Sequence, residues 1–168
     1  MNRRDVLIGG ACVAAAVAVP ALLKSTKAAA ETFEVTYSED EWHRLLTPAQ
    51  FQVLRKHGTE RPFTSPLNDE HRAGVFSCAA CDLPLYKSET KFDSGTGWPS
   101  FYAPIENAVG TSNDYSMIIP RTEVHCRRCG GHLGHVFEDG PPPTGLRYCM
   151  NGVALSFAPD AAGAPPSG

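Results

Sequence analysis

The chain has 168 residues and a formal net charge of −3, from 15 Lys and Arg against 18 Asp and Glu. With 42% hydrophobic residues it has enough apolar side chain to bury one core, which excludes a disordered polymer. Its mild acidity excludes nucleic acid as the natural partner, because phosphate binding needs a concentrated basic face.

Residues 1–30 read as an export signal of the twin-arginine type. Arg3-Arg4 precedes a weakly apolar run from Val6 to Leu23, then Lys24, Lys27 and the small residues Ala28-Ala29-Ala30. Cleavage before Glu31 and a periplasmic destination follow as expectations. An uncleaved membrane anchor fits less well, because Gly9-Gly10 and Pro20 weaken a continuous span. A lipid on Cys12 is disfavoured by Gly9 three residues earlier, and a cleaved signal removes Cys12 with it.

Two short helices come next, roughly Glu39–Leu46 and Pro48–His57. Ser38 with Glu41, and Thr47 with Gln50, have capping-box spacing, in which each side chain satisfies the other residue's backbone N–H. Pro48 suits a first helical position, and Gly58 supplies a stop.

From Gly74 onward, β-branched and aromatic stretches alternate with turn residues. The strands expected are Gly74–Ser77, Ser100–Tyr102, Ser116–Pro120, Thr122–His125, Gly134–Phe137, Leu146–Asn151 and Val153–Phe157. The fold class is mainly β and antiparallel behind a helical preamble. Pro141-Pro142-Pro143 marks a rigid loop, and residues 159–168 compose a disordered tail.

Cys78-Ala79-Ala80-Cys81 and Cys126-Arg127-Arg128-Cys129 are two Cys-x-x-Cys knuckles. Four thiolates so paired suit a closed tetrahedral Zn²⁺ site of structural type. Two disulfides are the competing reading in an oxidising compartment. A bridge within each knuckle would staple nothing distant, however, and the twin-arginine route carries folded proteins that can load metal before export. Spacing alone leaves iron open at this site.

Cys149 is then the one uncommitted thiol of residues 31–168. On a strand, Arg147, Cys149 and Asn151 share a face, where a guanidinium favours the nucleophilic thiolate and Asn151 offers a donor and an acceptor. His132 and His135 would lie on opposite faces of a regular strand, unless Gly134 permits a bulge. Trp98, framed by Gly95 and Gly97, suits a loop that presents an aromatic wall to a small apolar ligand.

These motifs, in this order, make the chain resemble the peptide methionine-R-sulfoxide reductases of the B type. The segments are Cys78-x-x-Cys81, Ser94-Gly95-Thr96-Gly97-Trp98-Pro99-Ser100-Phe101, Cys126-x-x-Cys129, His132-Leu133-Gly134-His135-Val136-Phe137 and Arg147-Tyr148-Cys149-Met150-Asn151. The resemblance runs from about Tyr37 to Ala158. It implies two antiparallel β-sheets with short N-terminal helices, and attack of Cys149 on the sulfoxide sulfur. It further implies that Arg147 supports the thiolate, Asn151 the polar network and His135 the departing oxygen, with His132 in the same network and Trp98 against the substrate methyl. Where many members carry a resolving cysteine this chain has Thr96. The expected reductant is therefore external, a thioredoxin-like protein or a small-molecule thiol, acting on a monomer.

Two other classes compete. A non-enzymatic zinc-ribbon binding module would leave Cys149, both histidines and Trp98 idle, and a zinc hydrolase would need an open metal position.

Overall fold

The computed structural model describes residues 32–160. The expected signal segment, Cys12 and most of the expected tail lie outside them.

Helix α1 spans Glu39–Leu45 and α2 spans Pro48–Lys56, each opened by the capping box its sequence announces. Ser38 and Glu41 exchange both hydrogen bonds, as do Thr47 and Gln50. The stop differs by one residue from the expectation. His57, not Gly58, takes the left-handed conformation at φ 54°, and the Gly58 N–H donates to the Gln52 carbonyl at 2.8 Å.

Nine strands follow among the described residues: β1 Gly74–Cys78, β2 Pro84–Lys87, β3 Lys91–Phe92, β4 Ser100–Phe101, β5 Val109–Asp114, β6 Arg121–Cys126, β7 His132–Phe137, β8 Arg147–Met150 and β9 Leu155–Pro159. They form two antiparallel sheets, ordered β2-β1-β9 and β3-β4-β8-β7-β6-β5.

Ser116–Pro120 is not a strand but the connection between β5 and β6, with Met117, Ile118 and Ile119 exposed. The strand lies just before it, in Val109–Asp114, an edge paired only with β6. An edge strand with little burial puts few demands on its side chains, so Val-Gly-Thr-Ser-Asn-Asp reads as a turn. Strands β2 and β3 are equally short of signal. At the other end, Pro159 is not tail: it pairs with Gly74, and the Asp160 N–H donates to Ala73 at 2.9 Å.

The core lies between the sheets. Phe76 of β1 meets Phe101 of β4 edge-on with centroids 5.0 Å apart, and Tyr86 of β2 stacks on the same ring at 4.3 Å. All three are fully buried. Removing each such side chain from water is worth roughly 2–3 kcal/mol. The Tyr86 hydroxyl donates to the Met150 sulfur at 3.2 Å, which ties β2 to β8. Met150 therefore faces the core, and strand alternation turns Cys149 to the opposite face.

Candidate active site

Strand β8 lies between β4 and β7, so Cys149 sits opposite Ser100 on one side and His135 on the other. Cys149 is half-buried and lines an open cleft with Trp98, Arg121, His135, Phe137 and Asn151.

The two histidines are brought together by a bulge. Val124 pairs with Gly134, but His125 pairs with His132, leaving Leu133 as the extra residue on β7. The His132 and His135 rings consequently lie 5.4 Å apart. Gly134 serves close approach: a Cβ there would strike the Cys149 carbonyl oxygen, so only glycine lets β7 and β8 meet beside the thiol.

His135 is held by a carboxylate that sequence reasoning missed. Its Nε2 lies 2.7 Å from Asp114 Oδ2, the oxygen that also accepts from Arg121 at 2.6 Å. Hydrogen bonds from Ser116, first from its side chain, and one from His135 hold the Asp114 carboxyl well below the usual carboxylate range. An ionised Asp114 can only accept, so His135 carries its proton on Nε2. Burial pushes the His135 imidazole down from its ordinary value, and the Asp114 hydrogen bond opposes it. No spacing pattern joins Asp114 to His135, because the contact depends on the β5–β6–β7 register.

His132 stands one step back from the cleft. It is buried, and its Nδ1 lies 2.7 Å from Glu123 Oε1. Arg147 does not itself line the cleft, but its guanidinium interacts with Cys149. Its guanidinium forks onto Asp139 at 2.8 Å and 2.8 Å and covers the Phe137 ring at 4.4 Å. Asp139 chiefly, and Cys149 secondarily, raise its affinity for the proton.

Asn151 is buried with both ends of its amide engaged. Its Nδ2 donates to the Leu133 carbonyl at 3.0 Å, and its Oδ1 accepts from the Glu60 N–H at 2.8 Å. Glu60 also accepts from the Trp98 indole at 2.9 Å through its carbonyl, and from the Gly152 N–H at 2.6 Å through its carboxylate. This second residue missed by sequence reasoning therefore fixes both Asn151 and the indole wall. Gly97 is left-handed at φ 91°, and its carbonyl accepts from the Phe63 N–H at 2.7 Å, closing the loop that carries Trp98. Thr96 reaches the thiol itself, with Oγ1 3.8 Å from Cys149 Sγ.

The four knuckle cysteines converge. Cys78 and Cys81 flank the β1–β2 turn of one sheet, and Cys126 and Cys129 the β6–β7 turn of the other. Their sulfurs all lie within 4.8 Å of one another, with 3.7 Å between Cys78 and Cys129 and 3.5 Å between Cys81 and Cys126. A tetrahedron with metal–sulfur bonds of about 2.3 Å has edges of about 3.8 Å, so the donor set fits a zinc-sized ion. Disulfides would need separations of about 2.0 Å. Contact with Cys126 pushes the Cys78 and Cys129 thiols up, while Cys126 itself goes down through contact with Cys129. Four sulfurs so crowded call for a cation. Arg55 of α2 donates twice to the Cys129 carbonyl at 3.1 Å and buttresses the second knuckle.

Two antiparallel sheets joined at a four-thiol cluster, with one further cysteine beside a carboxylate-held histidine and an indole, define a thiol-based oxidoreductase. A family model described as the SelR domain matches residues 46–159. The peptide methionine sulfoxide reductase MsrB of Pseudomonas putida (strain W619) is 61% identical over 121 residues, covering 71% of this chain and 91% of that protein. Proteins of the same name from Agrobacterium fabrum and Leifsonia xyli subsp. xyli are 54% and 55% identical, covering 75% and 76% of this chain and 94% of each. The chain belongs to this family, the peptide methionine sulfoxide reductases of the B type.

Proposed function

We propose that the chain reduces methionine-R-sulfoxide, free or in proteins, to methionine through Cys149. The observation that carries this reading is Cys149 and His135 side by side across β8 and β7, at a cleft walled by Trp98.

The Cys149 sulfur attacks the sulfoxide sulfur, the S–O bond breaks, and the oxygen ends on Cys149 as a sulfenic acid. The sulfoxide gains two electrons and Cys149 loses two. A proton must meet the oxygen as it departs, because its developing negative charge would otherwise stop the cleavage. With its Nε2–H donated to Asp114, His135 takes the Cys149 thiol proton on Nδ1 and passes it to the departing oxygen, so the proton the thiol loses is the one the oxygen gains. Arg147 adds positive charge near the thiolate, and Glu60 keeps Asn151 and Trp98 in place. His132 supports the ring of His135 from behind.

Thr96 supplies no thiol, so the sulfenic acid is reduced from outside. Two thiols of a thioredoxin-like protein or small molecule become a disulfide, and water is released. Cys78, Cys81, Cys126 and Cys129 would hold Zn²⁺, which supplies structural cross-linking of the two sheets. The working unit of this reading is a monomer. The twin-arginine signal supports a role in the periplasm, repairing oxidised envelope proteins.

The test is turnover by the protein from Glu31 onward, with dithiothreitol and the separated R and S sulfoxides of an N-blocked methionine. Turnover of the R form alone, lost in Cys149→Ser, is expected. No turnover of either form by folded, metal-loaded protein would sink the reading and favour a zinc-ribbon binding module.

A further inference from the structure

Behind His135 lies a second group of metal-type donors. Glu123 Oε1 is 2.7 Å from His132 Nδ1 and 3.0 Å from His57 Nδ1, and all three ligand atoms lie within 4.8 Å of one another. The three come from separate elements: His57 caps α2, Glu123 is on β6 and His132 on β7. Side-chain exposure falls from 65% at His57 to 12% at Glu123 and 3% at His132, so the group opens to solvent on one side only. The Ser112 hydroxyl donates to Glu123 Oε2 at 2.7 Å, leaving Oε1 to the two rings. Such an outer hydrogen bond is what orients a ligating carboxylate.

We propose that His57, Glu123 and His132 form a second metal site that takes a divalent transition ion such as Zn²⁺, and that its occupation slows reduction at Cys149. Two imidazoles and one carboxylate are a recognised zinc donor set, with water filling the remaining position. Bonds of about 2.0–2.2 Å in a tetrahedron separate ligands by about 3.4 Å. Reaching that spacing moves the carboxylate about 0.4 Å from the exposed His57 ring and about 0.7 Å from the His132 ring. Each ring would bind through Nδ1 and carry its proton on Nε2. The Glu123 carboxyl, held down to about 2 chiefly by the His132 hydrogen bond, is already ionised and ready to ligate. The effect on chemistry comes from position: His132 packs at 5.4 Å against His135, so an ion that draws His132 toward itself removes the support of the proton-transferring ring. The binding rests on side-chain geometry alone, whereas the slowing rests on the reductase reading above.

The binding test uses the full chain with Cys12 and Cys149 replaced by serine and the four-cysteine cluster loaded. Zn²⁺ is titrated by calorimetry. One further equivalent is expected, bound at least about tenfold more weakly after His57→Asn. Asparagine suits this substitution because it tolerates the left-handed backbone of a helix end. No further equivalent, or one held as tightly by His57→Asn, overturns the site. The effect on chemistry is read in single turnovers without added thiol, with Cys149 retained and Cys12→Ser. Zn²⁺ should slow the parent, and His57→Asn should need about tenfold more for the same slowing. Equal slowing in both would place the ion on Cys149 and overturn the coupling. If the further equivalent binds but neither protein reduces sulfoxide even without Zn²⁺, the reductase reading fails and the metal site stands.

Discussion

Asp114 Oδ2 accepts from His135 Nε2 at 2.7 Å and from Arg121 at 2.6 Å, so one carboxylate oxygen, at the end of an edge strand, sets the ring that faces Cys149. Asp114→Asn removes the ionic acceptor while keeping the shape. With the tautomer no longer fixed, kcat should fall about 10- to 100-fold, with KM little changed. Steady-state kinetics on the R sulfoxide would show this, and an unchanged kcat would remove Asp114 from the proton path.

Thr96 stands 3.8 Å from the Cys149 sulfur, close enough for a thiol in its place to reach a sulfenic acid. After one equivalent of sulfoxide, the wild-type protein should lose one titratable thiol. Thr96→Cys should lose two and gain an internal disulfide, visible as a mobility shift without reductant. An internal disulfide in the wild type would contradict an external reductant.

Removing a cluster ligand should disconnect the two sheets. Cys81→Ser leaves three sulfurs, and metal content and thermal stability should fall together. The loss should exceed about 5 kcal/mol, comparable with the whole stability of a domain of this size. Metal analysis with thermal unfolding checks this, and a variant that loses metal yet keeps its Tm would show the cluster to be dispensable.

Glu123 predicts a pH dependence. Its carboxyl is lowered from 4.5 to about 2, first by the His132 hydrogen bond. A depressed folded value means that the stabilisation is present above pH 4.5 and is lost as pH falls toward 2. The Tm of the wild type should fall across that window more steeply than that of Glu123→Gln. Parallel curves would show that the pair contributes nothing.

Glu60→Ala removes the carboxylate that accepts from the Gly152 and Val153 N–H groups at 2.6 Å and 3.3 Å. An unpaired buried backbone donor costs about 1–3 kcal/mol. The same segment carries the bonds to Asn151 and Trp98, so KM for sulfoxide should rise several-fold alongside the loss in stability. Equilibrium unfolding and kinetics on one preparation separate the two effects.

The sequence by itself determined what is local or chemically marked. Ser38–Glu41 and Thr47–Gln50 fix the helix starts through bonds three residues apart. The doubled Cys-x-x-Cys marks a four-sulfur cluster, and Cys149 stands out as the thiol left over. Strands with a buried face, such as β1 and β7, announce themselves because packing constrains their composition. The tertiary structure decided the rest. Edge strand β5 is unmarked because it buries little, while the apolar Met117-Ile118-Ile119 is a loop because no neighbouring strand pairs with it. The bulge at Leu133 puts His132 and His135 on one side, and the β5–β6–β7 register delivers Asp114 to His135 and Glu123 to His132. Such partners meet across strands, and a cross-strand contact is set by register, which depends on how every strand packs and on nothing that spacing along the chain records.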